Sequence, residues 1–289
     1  MMIRRFLSSS ASDALKKRQA ELMARGLPKK RHIENVKHVL LVASGKGGVG
    51  KSTTAVNLAV AFRKLDLKVG LLDADIFGPS IPLMMNLQDQ PLVDEKTRKM
   101  LPLENYGVKC MSMGFLVDPQ EAVVWRGPMV MGALEKMVHS THWSCDGPLD
   151  LLVIDLPPGT GDIHLSLSQT VQVSGSVIVS TPQAVALADV KKCVKMLERV
   201  QIPILGSIEN MSSFKCPKCE EVTYVFGANS QLLPNLPSFK MPLDIEIMRN
   251  ADEGTPIVIS HPGSQVSQIY EKISQTLWQT LIAATSNKD

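Results

Sequence analysis

The 289-residue chain has no apolar run near the roughly 18–20 residues that a transmembrane helix needs, which excludes a helical membrane span. Cysteine is scarce and odd in number: five residues, three of them isolated (Cys110, Cys145, Cys193), which argues against a disulfide framework and reads as ordinary small packing residues. There is no internal repeat and no low-complexity linker after residue 35. The body also lacks positive charge. Residues 1–31 hold nine Lys/Arg against two acids, and the rest holds 22 against 26, so the overall +3 belongs to the N-terminus. A body that is net acidic lacks the basic patch that stable nucleic-acid binding requires. The start itself, Met1 to Ser12, carries Arg4, Arg5 and several serines with no acid before Asp13. That composition predicts an organelle transit peptide over residues 1–12 rather than a secretory signal. Leu15, Leu22 and Met23 predict a short amphipathic helix over 13–25, ended by Arg25-Gly26-Leu27-Pro28, with residues 13–35 as helix and linker.

The chain as a whole is 44% hydrophobic, and residues 36–289 are within range for one α/β domain. Apolar runs and helical patterns alternate. Strands are expected at Val36–Ala43, Lys68–Leu72, Gly107–Met111, Leu149–Ile154, Gly175–Ser180 and Pro203–Ile208. Helices are expected from the loop at 44–50 to about Lys64, and over Pro128–His139, Ala184–Val200 and Ser264–Ala284. Strands without polar alternation, each followed by a helix, predict a mostly parallel sheet with helices on both faces. The last helix, with Val266, Ile269, Ile273, Leu277 and Leu281 at helical spacing, reads as packing on the sheet; a membrane-surface helix is the alternative.

Between the first strand and helix stands Gly45-Lys46-Gly47-Gly48-Val49-Gly50-Lys51-Ser52, followed by Thr53. This is the pattern of a phosphate-binding loop in the context that makes it credible. Glycines let the backbone wrap closely around phosphate oxygens, and the helix adds the positive end of its dipole. Lys51 is expected at the β- and γ-phosphates, and the Ser52 hydroxyl in the Mg²⁺ shell. Asp73 and Asp75 end the second strand, and Asp155 ends the strand at 149–154, all at the carboxyl edge where open α/β sheets bind ligands. Pro157 to Asp162 reads as a switch loop. Cys216-Pro217-Lys218-Cys219 supplies two thiolates, half of a tetrahedral site, and no second such pair is present in the chain. A symmetric dimer completes a four-cysteine site at its twofold axis, suited to zinc or to a [4Fe–4S] cluster; a redox motif is a further reading.

Lys46 directly after the first glycine resembles the deviant P-loop of the MinD/ParA/nitrogenase-iron-protein class. That resemblance implies a lysine that crosses a dimer interface to the partner's nucleotide, as an arginine finger does. It also implies that Asp75 orients the attacking water, that Asp73 lies nearer the metal, that Asp155 holds Mg²⁺ through water, and that Asn210 reads the adenine base. The segments 43–54, 73–80 and 155–162, with Trp125-Arg126-Gly127-Pro128, Asn210-Met211 and the Cys-x-x-Cys, resemble the Mrp/nucleotide-binding-protein family of iron–sulfur cluster carriers from about residue 13 to 285. The resemblance implies a dimeric, slow ATPase bridging a labile [4Fe–4S] cluster between the two Cys216/Cys219 pairs. With the presequence-like start, it points to the family's mitochondrial members, in the matrix, with respiratory complex I subunits as clients. A transient visit to a membrane surface stays open. One stretch departs from the family pattern: residues 231–240 are shortened and carry Pro234 and Pro237. Loss of the strand usual there would open a sheet edge beside the nucleotide base.

Overall fold

The computed structural model describes residues 31–117, 127–159, 161–227 and 232–286. The presequence-like start and the expected helix over 13–25 lie outside the described residues, as do Trp125, Arg126 and Thr160.

In chain order the elements are β1 (Val36–Ala43), α1 (Lys51–Arg63), β2 (Val69–Asp73), α2 (Ile81–Met84), β3 (Leu103–Asn105), β4 (Val108–Ser112), a 3₁₀ turn at Met113–Phe115, α3 (Gly127–His139), β5 (Leu149–Asp155), α4 (Asp162–Thr170), β6 (Gly175–Ser180), α5 (Ala184–Arg199), β7 (Ile204–Glu209), β8 (Phe214–Lys215), β9 (Val222–Thr223), β10 (Ser238–Lys240), α6 (Ile245–Asp252), α7 (Ile257–Ser260) and α8 (Gln265–Ser286). Eight strands form one sheet in the order β10-β7-β6-β1-β5-β2-β4-β3, parallel throughout except for the edge hairpin β3–β4. β8 and β9 form a separate two-stranded hairpin.

The central strands β1, β2, β5 and β6 are rich in buried Val, Leu and Ile because helices cover the sheet on both sides. From β1 the chain crosses through α1 to β2 in one direction, and from β6 through α5 to β7 in the other. Right-handed crossovers running in opposite directions place α1 and α5 on opposite faces. The order therefore reverses beside β1, and a crevice opens at that strand's carboxyl end, where the P-loop begins. The closing helix α8 packs on α1 and α7, with Val266, Tyr270, Ile273, Leu277 and Leu281 buried. Its apolar stripe is thus used within the domain.

The expected strands and helices are found within one or two residues of their predicted bounds. The short α2, α4, α6 and α7 and the edge strand β3 were not foreseen. In the shortened 231–240 stretch the strand is kept: β10 pairs in parallel with β7 through Ser238, Phe239 and Lys240, so that side of β7 is covered. Met241, Pro242 and Leu243 then lead to Asp244, whose side chain caps α6 by accepting from Glu246 N at 2.8 Å. Of the isolated cysteines, Cys110 and Cys193 are buried packing residues, while Cys145 is exposed in the turn after Trp143, contrary to the expected packing role. Leu152 in β5 is fully buried between β1 and β2. Leu152→Ala is expected to lower the free energy of unfolding by about 2–5 kcal/mol, read from urea denaturation.

Candidate nucleotide and metal site

Gly48 and Gly50 have φ of 76° and 80°, the left-handed region that turns the loop back over the start of α1. Gly45 is required for a different reason: a Cβ there would stand 2.5 Å from the backbone carbon of Asp189. The loop is held from several directions. Ser44 Oγ donates to Lys46 O at 3.0 Å, Gly159 N donates to Ser44 O at 3.2 Å, and Asn210 Nδ2 donates to Val49 O at 2.8 Å. Thr54 closes the first turn of α1 through Gly50 O, by its backbone N–H at 3.0 Å and its hydroxyl at 2.8 Å.

Lys51 is buried, and its Nζ lies 2.5 Å from Asp155 Oδ1 and 3.2 Å from Ser52 Oγ. Asp155 is itself fully buried, and its second oxygen, Oδ2, is buried without a hydrogen-bond partner. Burial pushes the Asp155 carboxyl up, and the Lys51 charge beside it pulls the other way. An unsatisfied carboxylate oxygen next to the Ser52 hydroxyl fits the donor set of a hydrated Mg²⁺ ion. A cleft of about 260 Å³ opens over the loop, lined by Lys46, Gly48, Lys51, Thr53, Asp75 and Pro158 among others. It adjoins a second cleft of about 340 Å³ lined by Gly50, Thr53, Asn210, Met211 and Pro242. A third, of about 830 Å³, lies beyond Asp75 and Pro158, between the segments at 75–78 and 157–164 and the start of α3.

The two aspartates after β2 are placed differently. Asp75 lines the phosphate-side cleft. Asp73 is buried, and its oxygens accept from Asp75 N (3.1 Å), Ser80 N (3.1 Å), Ile81 N (3.3 Å) and Ser112 Oγ (3.1 Å). It ties both ends of the 75–80 loop to the sheet. Burial, and secondly the Asp155 charge, push its pKa up to about 7 despite those bonds. Ser112, at the end of β4, had no signal in the sequence; nor had His164 of α4, which is buried near Lys51 and whose pKa falls to about 4, first through burial and then through the Lys51 charge. His164 is therefore a neutral imidazole at physiological pH.

Cys216 and Cys219 occupy the turn of the β8–β9 hairpin, half-buried and exposed respectively. Cys216 N donates to Glu221 O and Glu220 N to Cys216 O, both at 2.9 Å, closing a knuckle in which Glu220 takes φ of 60°. The peptide N–H groups of Cys219 and Lys218 point at the Cys216 sulfur and lower its pKa, favouring the thiolate that binds metal. Among the described residues no group of three or more His, Cys, Asp or Glu side chains is arranged to hold a metal ion. Among those residues the knuckle thus presents two thiols with no third such ligand grouped beside them.

The strand order, the loop and the buried Lys51–Asp155 pair define a P-loop NTPase. The fold matches that of the cell-division ATPase MinD from Pyrococcus furiosus, with a TM-score of 0.62 over 84% of this chain and 98% of that one, at 21% identity. A nucleotide-binding protein from Archaeoglobus fulgidus, solved with ADP, matches at a TM-score of 0.67 and 34% identity over 82% of this chain and 93% of that one. Among curated proteins, the Arabidopsis thaliana iron–sulfur protein required for NADH dehydrogenase is 51% identical over 263 residues, 89% of this chain and 83% of its own length. The mouse iron–sulfur cluster transfer protein NUBPL is 49% identical over 284 residues, 96% of this chain and 88% of its own length. The model for the ParA-type NUBPL iron-transfer P-loop NTPases matches residues 35–278, and the chain belongs to that family.

The raised pKa of Asp73 has a consequence for stability. The folded chain keeps this proton up to about pH 7, whereas an unfolded aspartate releases it near 3.8. Its contribution is therefore complete below about pH 4 and is lost as pH rises towards 7. Urea denaturation of the nucleotide-free protein across that range is expected to show stability falling with pH more steeply for the wild type than for Asp73→Asn.

Proposed function

We propose that the chain is an ATP-dependent iron–sulfur cluster carrier that works as a homodimer. In this reading two subunits meet over their nucleotides and hold one labile [4Fe–4S] cluster between their Cys216/Cys219 pairs, for delivery to subunits of respiratory complex I in the mitochondrial matrix. The observation that carries it is the knuckle: two cysteines at a hairpin tip, with peptide N–H groups aimed at the first sulfur and no further ligands grouped beside them among the described residues. A twofold axis supplies the missing pair with identical geometry. The relatives' names support the cargo, and the Arabidopsis protein's name supports the client.

The nucleotide half follows from the charges in the cleft. Lys51 binds the β- and γ-phosphates, and Gly45, Gly47, Gly48, Val49, Gly50 and Thr53 supply the backbone around them. Ser52 and Asp155 would hold a Mg²⁺ ion, which would supply positive charge against the phosphates. Asp75 orients the attacking water, and Asp73 serves the site from behind by fixing the 75–80 loop. Lys46 reaches the partner subunit's nucleotide, so that the second cation arrives only when the dimer closes. Hydrolysis is slow and relaxes the loops at 73–80 and 155–162. Residues 1–12 act as the transit peptide.

Cys216→Ser, reconstituted anaerobically with iron and sulfide, is expected to lose iron retention while binding ATP as the wild type does. Absorbance of the cluster and metal analysis on the same sample read the outcome. Stoichiometric cluster retained by the variant, or zinc in place of iron in the wild type, contradicts the cargo assignment.

A further inference from the structure

A single buried side chain joins the phosphate loop to the segment that carries the cysteine knuckle. Asn210 follows the last residue of β7 and is 8% exposed. Its Nδ2 donates to Val49 O at 2.8 Å, and its Oδ1 accepts from Met211 N at 3.0 Å. The amide is thus engaged at both ends, by the P-loop and by its own chain. The fit is close: a Cβ on Gly50 would stand 2.2 Å from Nδ2, so a side chain there would displace the Asn210 amide in addition to straining the backbone. Met211 then takes φ of 55°, a left-handed turn that redirects the chain out of the sheet, and Cys216 comes six positions after Asn210. The intervening residues have little slack. Ser212 N and Oγ both donate to Met241 O, at 2.9 and 3.0 Å, and Leu243 N donates to Ser213 O at 2.7 Å, while Phe214 bridges to Leu243.

We propose that Asn210 is the joint through which the state of the phosphate loop reaches Cys216 and Cys219. Val49 O belongs to the loop whose N–H groups wrap the phosphates, so a loop that closes on a nucleotide carries this carbonyl with it. Asn210 follows through its hydrogen bond, the turn at Met211 passes the displacement on, and the hairpin root at 212–214 is too tightly sewn to absorb it. Asn210 is a positioning residue in this account, because it acts on the thiols through the backbone. The inference rests on the reading of Cys216 and Cys219 as the carrier's ligands, but its test uses the thiols alone.

The experiment measures the alkylation rates of Cys216 and Cys219 by iodoacetamide in the full-length, cluster-free protein, resolved by peptide mass spectrometry. Rates are compared without nucleotide and with Mg²⁺ and AMP-PNP at concentrations found by titration to saturate each variant. Two sites coupled through the fold differ typically by about fivefold or more between states, and that ratio is expected for the wild type. Asn210→Asp keeps the shape and the acceptor for Met211 N but sets an oxygen against Val49 O; Asn210→Ala removes both contacts. Both variants are expected to bring the ratio close to one. Should Asn210→Ala fail to fold by circular dichroism, the isosteric Asn210→Asp carries the test. A wild-type ratio of one, or a ratio unchanged in the folded variant, overturns the proposal. Iron retention by Cys216→Ser is a separate measurement, so failure of the carrier reading would leave the coupling result standing and distinguishable.

Discussion

A buried ammonium needs a counter-charge, and the site is arranged around how Lys51 obtains one. The counter-charge is Asp155, 2.5 Å away and fully buried. Neither group tolerates the loss of the other, because an uncompensated buried charge costs several kcal/mol, of the order of 3–5. The sheet exists in part to keep them together: β1 and β5 pair in parallel with Val42 opposite Asp155, so the loop leaves one strand beside the carboxylate that ends its neighbour. Asp73, opposite Asp155 on β2, pays for its burial with four hydrogen bonds that shape the next loop. Three neighbouring strand ends thus bring one cation and two buried acids together.

Within the proposed function this arrangement is a switch. A triphosphate would bring its own negative charge to Lys51 and free Asp155, whose buried Oδ2 has no hydrogen-bond partner, for a hydrated metal ion. The same loop is bonded through Val49 O to Asn210, and from there the chain runs directly to the cysteines. The nucleotide cleft and the cysteine knuckle are therefore neighbours along the chain, joined across a few residues of backbone. In the proposed dimer the knuckle would supply two ligands and the loop a second lysine, Lys46, and one twofold partner would complete both at once.

Much of this was legible in the sequence because the chemistry leaves little choice. Buried parallel strands have to be continuous runs such as Leu151–Ile154, and a loop that wraps phosphate has to be glycine-rich. What escaped was the structure whose cause is tertiary. β10 is three residues, Ser238-Phe239-Lys240, with no apolar run; it is a strand because β7 offers an edge. α6 is short and buries only Asn250, so no long apolar period marks it, although Asp244 caps its start. The role of Ser112 is visible only once β4 lies beside β2, and the resemblance that directs Asn210 to a base gave no warning that its amide is engaged by Val49. Cys145 was read as packing because isolated cysteines usually are; it sits instead in an exposed turn.

The proposed function requires one cluster shared by two chains through two cysteine pairs. Native mass spectrometry of the anaerobically reconstituted protein tests it directly. The account predicts a dimer of the 31.6 kDa chain carrying one four-iron, four-sulfur unit, lost together with the dimer when the cluster is removed by chelation. A monomer that keeps a complete cluster, or a dimer carrying two, would contradict it.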